Sequence, residues 1–150
     1  MFLSHKCQYA VRSIFELGKH YGNGPVKIAD IARAQGIPAR FLEVILSELK
    51  QGGFVESKRG AEGGYFLGRD PGGITVGEVI RFVEGPLGPV GCLGDAAPRE
   101  RCPLHENCVF TGLWGRAREA VSAVYDTTSF RDLAEEEAQM GRKFTPNYVI

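Results

Sequence analysis

Three cysteines and a histidine share one stretch of this 150-residue chain: Cys92, Cys102, His105 and Cys108, with nine and then five residues between successive cysteines. Thiolates are soft donors that select zinc, copper or iron–sulfur clusters, and a cluster takes about four attachment points. The stretch supplies three thiols, and His105 is a candidate fourth donor. The spacing is looser than the paired C-x2-C of a zinc ribbon, so structural zinc is the weaker fit. Free thiols in an irregular segment are the bland alternative.

A second set of residues suits a polyanion. The formal net charge is zero, but residues 1–70 hold ten Lys and Arg against seven Asp and Glu, and the remainder holds eight against eleven. The basic half is therefore where a nucleic-acid surface should lie. Arg40, Glu43, Ser47 and Lys50 fall together on one helical face. Arginine can read guanine through two hydrogen bonds, glutamate can accept from the cytosine amine, and serine serves base or phosphate. Lys58 and Arg59 open a glycine-rich turn, where cation and backbone can approach phosphate closely. An ordinary solvated face is the alternative for each.

The elements that must position these residues can be read from periodicity. Ser4 caps a first helix whose stripe runs through Cys7, Ala10, Val11, Ile14, Leu17, Gly18 and Tyr21 as far as the turn Gly22-Asn23-Gly24-Pro25. On that stripe Cys7 reads as a small buried hydrophobe. Ile28 to Ala32 begins a short helix stopped by Gly36, and Pro38 opens another with Leu42, Ile45, Leu46 and Leu49 at i, i+3, i+4 and i+7. Phe54–Lys58 and Tyr65–Leu67 form a hairpin. Thr75 and Glu78 make a capping box for a helix carrying Val76, Val79, Ile80 and Val83. From Gly85 to Asn107 no period is visible, which marks a functional or disordered segment. A long stripe of Leu113, Ala117, Ala120, Val121 and Val124 follows, and Ser129 with Asp132 caps a final short helix through Glu137.

The expected fold is mainly α with a small β-hairpin wing. Short helix, turn, longer helix and hairpin in that order is the winged helix-turn-helix plan, which places the second helix in the major groove and the wing on flanking backbone or minor groove. With 43% hydrophobic and 24% charged residues the composition is that of a folded globular protein, and no stretch reaches the roughly 18 apolar residues of a membrane span. The N-terminal MFLSHKCQYAV meets charge too early for a leader, so the expected compartment is cytoplasmic, where thiols stay reduced. No nucleophile–base pair or cofactor-binding glycine motif points to an enzyme.

The run KCQYAVRSIFEL, then IADIARAQGIPARFLEVILSELKQGGFVESKRGAEGGYFL, ITVGEVI, the three cysteines and FTGLW resembles the IscR, NsrR and CymR family of regulators, over nearly the whole chain to about Glu137. The resemblance implies a homodimer joined through the long helix after the cysteines, binding a double-stranded DNA operator. It further implies an iron–sulfur cluster on Cys92, Cys102 and Cys108 that senses redox state, iron or cluster supply, or nitric oxide. The division it suggests is a DNA-binding domain at 1–84, a cluster-binding loop at 85–108, a dimerisation helix and C-terminal arm at 109–140, and a tail at 141–150. The fourth ligand departs from the patterns implied: Thr111 stands where IscR-like relatives place histidine, and Gln8 where NsrR-like relatives place a carboxylate. His105 and Cys7 remain as candidates. Alternatives are a cluster-free regulator using structural zinc or a thiol switch, and a small electron-transfer protein, which would need neither wing nor groove-facing helix.

Overall fold

A computed structural model describes residues 2–93 and 102–143. Helix α1 (His5–Lys19) begins where Ser4 Oγ accepts from the Cys7 amide at 3.1 Å, and it buries Cys7, Ala10, Ile14 and Leu17. Tyr21, beyond its end, is exposed. Helix α2 (Ile28–Gln35) stops at Gly36, whose φ of 61° lies in the left-handed region that glycine enters without a Cβ penalty. Helix α3 (Ala39–Gln51) follows Pro38 and buries Leu42, Ile45, Leu46 and Leu49. Each such leucine contributes about 1.5–3 kcal/mol on leaving water. Strands β1 (Val55–Lys58) and β2 (Gly64–Leu67) pair antiparallel, with Val55 opposite Leu67 and Lys58 opposite Gly64. Phe54, expected as a strand residue, precedes β1 and is buried.

Helix α4 (Val76–Glu84) starts at Thr75, whose hydroxyl accepts from the Glu78 amide at 3.2 Å. Only this half of the expected capping box forms, because the Glu78 carboxylate is taken by the Arg69 guanidinium instead. Where the sequence shows no period, single 3-10 turns occur at Gly91–Leu93 and His105–Asn107. Helices α5 (Thr111–Thr127) and α6 (Phe130–Lys143) complete the described chain. At the start of α6 both arms of a capping box are present: Asp132 donates its amide to Ser129 Oγ at 3.1 Å, and Ser129 donates its own to the Asp132 carboxylate at 2.8 Å. This helix runs past Glu137 because Ala138, Gln139 and Met140 are good helix formers and the lone Gly141 does not stop it.

The core gathers around α1, which packs against α2, α3, α4 and α6. The arm carrying α6 is stitched to the body by backbone: Val76 donates to the Thr128 carbonyl at 2.9 Å and Phe130 to that of Ile74 at 3.1 Å, with the Phe130 ring fully buried between them and the core. Helix α5 is different. It has no buried residue, and Leu113 and Val124 of its apolar stripe remain exposed. Among the described residues no helix is long and apolar enough to cross a membrane.

Candidate nucleic-acid interface and cysteine segment

The leucine face of α3 fixes what its opposite face presents. Arg40, Glu43, Ser47 and Lys50 are all exposed, as the sequence predicts. The Arg40 guanidinium lies over the Phe41 ring, 4.8 Å from its centroid, so it is held on the outside rather than folded inward. Lys50 is less free than expected, because its Nζ donates to Ser57 Oγ on β1 at 2.7 Å. Ser57 was not anticipated; its signal is only that an outward residue of β1 faces the end of the preceding helix. Val44 was missed as well. At 100° per residue it falls about 40° to one side of Arg40, with Ser47 about 20° to the other, so it shares the outward face, and it is 57% exposed. An apolar side chain there can meet a thymine methyl group.

The wing depends on glycine at two places. A Cβ on Gly63 would lie 2.8 Å from the Arg59 carbonyl carbon and closer still to the Lys58 oxygen. One on Gly64 would lie 2.6 Å from the Val26 carbonyl carbon. That second approach permits a bridge in which Val26 and Tyr65 exchange two backbone hydrogen bonds of 2.8 Å, tying the wing to the segment before α2. Lys58 and Arg59 then stand exposed at the tip. The wing is thus joined to the helices twice, to α3 through Lys50–Ser57 and to the segment before α2 through Val26–Tyr65.

The helix pair itself is set by Glu16, which is 5% exposed. Its carboxylate accepts from Gln35 Nε2 at 2.6 Å and pairs with Lys19 at 3.0 Å, with His20 Nε2 at 3.2 Å. Burial raises its pKa, but the hydrogen bonds from Gln35 and Lys19, the charge of Lys19 and the bond to His20 outweigh it and hold Glu16 below its ordinary value. The ionised form therefore clamps α2 to α1.

The cysteines divide into two kinds. Cys92 and Cys102 are exposed and Cys108 is half-buried just ahead of α5, so the chain brings all three thiols to the surface. Among the described residues no three His, Cys, Asp or Glu side chains are gathered closely enough to hold a metal ion. His105 opens a 3-10 turn, and its side chain lies outside what is described. In kind and accessibility the three thiols fit a soft-metal group, which would have to draw them together. Cys7 does not fit: it is fully buried, and burial first, then the charge and hydrogen bond of Glu84, push its thiol up to about 11. A thiol protonated at neutral pH is a poor ligand and a poor nucleophile. The Cys92 turn is tied to α5 by Arg118, whose guanidinium donates to the Leu93 carbonyl at 2.5 Å.

Comparison with known proteins agrees with this architecture. Residues 3–136 match the Rrf2 family, described as iron-dependent transcriptional regulators. The transcriptional regulator CymR of Bacillus subtilis is 40% identical over 145 residues, spanning 93% of this chain and 98% of CymR. Its solved structure, described as that of the global cysteine regulator of B. subtilis, superposes with a TM-score of 0.74 at 39% identity, covering 91% of this chain and 98% of that one. The transcriptional regulator IscR of Xenorhabdus nematophila is 36% identical over 137 residues, 91% of this chain and 81% of IscR. An oxidized form of Staphylococcus aureus CymR is similar at a TM-score of 0.68 and 30% identity, covering 90% of this chain and 97% of that one.

Proposed function

The chain belongs to the Rrf2 family of transcriptional regulators, and from that premise we propose that it binds a DNA operator as a homodimer whose affinity is set by chemistry at Cys92, Cys102 and Cys108. The observation that carries the reading is the exposed face of α3 standing beside a glycine-tipped wing, both fixed to one core. In this reading α3 enters the major groove. Arg40 and Glu43 contact base edges, Ser47 base or phosphate, and Val44 a thymine methyl, while Lys50 orients the helix against the wing. Lys58 and Arg59 take phosphate or the minor groove. The exposed stripe of α5, with Leu113 and Val124, supplies the pairing surface between subunits. The working division is DNA binding by 1–84, sensing by 85–108, and dimerisation by 109–140, with residues 141–150 as a tail.

The cysteine segment is read first as the seat of an iron–sulfur cluster on Cys92, Cys102 and Cys108, with His105 as a candidate fourth ligand. A bound cluster would supply a redox- and iron-responsive cross-link among three otherwise separate thiols. A second reading is favoured by the likeness to a CymR that takes an oxidized form: two of the three thiols give up two electrons and two protons to an oxidant and form a disulfide. Structural zinc would use the same donors. The test of DNA binding is sedimentation together with fluorescence anisotropy on duplex from the protein's own upstream region. The expected result is a dimer on a pseudo-palindrome with half-sites about 34–36 Å apart. A monomer with and without DNA, or equal affinity for unrelated duplex at physiological salt, overturns it.

A further inference from the structure

We propose that Arg81, Asp126 and Phe82 are positioning residues for DNA binding, with α4 the lever through which the cysteine segment acts on the recognition helix and wing. The inference rests on the sensing role given above to the cysteines. It begins at Arg118, which holds the carbonyl of Leu93, the residue next to Cys92. Two turns further along the same helix, about 12 Å, Asp126 meets α4: its two carboxylate oxygens accept from the two terminal nitrogens of Arg81 at 2.5 and 2.8 Å. This fork needs Gly77, because a Cβ there would sit on the Asp126 carboxylate, 3.1 Å from Cγ, and 3.0 Å from Arg81 Nη1. The residue beside Arg81 then reaches the other way. Phe82 lies against Gly52, where a Cβ would be 2.6 Å from the ring, and packs edge-on with Phe54 at 5.2 Å. Gly52 and Phe54 are the hinge between the end of α3 and the start of β1.

Helix α4 also grips this hinge from its first turn. Glu78 binds Arg69, and the Arg69 guanidinium lies 5.3 Å from the centroid of Phe54. At its far end Glu84 accepts from the amide of Ser4, the cap of α1. One rigid helix thus contacts α5 with one residue and the recognition-helix–wing junction with the next, so displacement of the Cys92 turn has a short mechanical route to the DNA-binding surface. Both glycines sit where a larger residue would break a joint, which ties the route to sequence.

The test has two arms. In cofactor-free protein, amide hydrogen exchange is measured for Asp126→Asn and Phe82→Leu, with Arg33→Gln, which breaks a more exposed pair within α2, as control. Exchange across residues 52–58 and 64–69 should rise at least threefold in the first two and not in the control; unchanged exchange overturns the proposal. In the second arm, anisotropy compares cluster-free protein with protein reconstituted with ferrous iron and sulfide. Wild type should show different affinities, and Asp126→Asn should shrink their ratio at least threefold while still folding and binding DNA in one state. An undiminished ratio overturns the lever. Equal affinities in wild type overturn the cluster-sensing reading instead, and the exchange arm still decides whether α4 holds the wing.

Discussion

Replacing Gly64 by alanine probes the joint between wing and body most sharply. The residue has φ 154° and no room for a methyl group, which would come within 2.6 Å of a backbone carbonyl carbon at Val26. Backbone cannot swing aside as a side chain can, so β2 must retreat by about 1 Å to reach ordinary contact. That retreat breaks the two 2.8 Å hydrogen bonds between Val26 and Tyr65. Each is worth about 0.5–1.5 kcal/mol net, and the backbone strain adds about 1–3 kcal/mol, so the loss is about 2–6 kcal/mol. At roughly 2–4 °C per kcal/mol for a chain of this size, Tm should fall by about 4–24 °C. Gly53→Ala is the control: its φ is 78°, but nothing lies within 4 Å of an added Cβ. It should cost only the left-handed penalty, about 1–2 kcal/mol. Thermal melts by circular dichroism decide the matter. Equal losses for the two variants, or a Gly64→Ala loss under 1 kcal/mol, would refute the steric argument.

Other predictions concern contacts and charge. Arg59→Ala should weaken binding to all duplexes alike and lower the slope of log affinity against log salt by about one, read by titration at several salt concentrations. Glu43→Ala and Val44→Ala should each relax preference at one base pair, costing about 1–3 kcal/mol for a base contact on the best operator, in a panel of single-base operator variants. Uniform weakening across the panel would reassign either residue to positioning. Glu16→Gln should lower stability at pH 7 by about 1–3 kcal/mol in urea titrations. Because folding lowers the Glu16 pKa, its contribution is present above the ordinary value of 4.5 and is lost as pH falls through the lower folded value. The gap between variant and wild type should therefore close on acidification below pH 4.5, and a constant gap would contradict the ionised clamp.

Much of this was legible in residue order because local signals agreed with the fold. The α3 stripe, the Gly36 stop, the Ser4 cap and the hairpin each follow from periodicity or turn chemistry within a few residues. What escaped was decided by partners on neighbouring elements. Glu78 abandons its cap for Arg69, nine residues earlier, and Lys50 finds Ser57, seven residues later, because the turns between elements bring these side chains together. Val44 was overlooked because an outward valine looks like noise beside a polar face until burial shows it excluded from the core. The arrangement of the cysteines was least legible: an irregular segment has no period, and nothing in the spacing of Cys92, Cys102 and Cys108 fixes how closely they approach. Cys7 was correctly read from its place on the α1 stripe.

The central claim is that these three thiols set DNA affinity, and the most direct measurement is anaerobic titration of operator DNA with wild type and with Cys92→Ser, Cys102→Ser and Cys108→Ser proteins, each after iron and sulfide reconstitution. A serine hydroxyl is a harder and poorer donor than a thiolate. Each substitution should therefore abolish the visible iron–sulfur absorption and bring the affinity to that of cluster-free wild type, while Cys7→Ser retains both. Iron and sulfide content surviving all three loop substitutions, or a wild-type affinity indifferent to reconstitution and to thiol oxidation, would contradict the account.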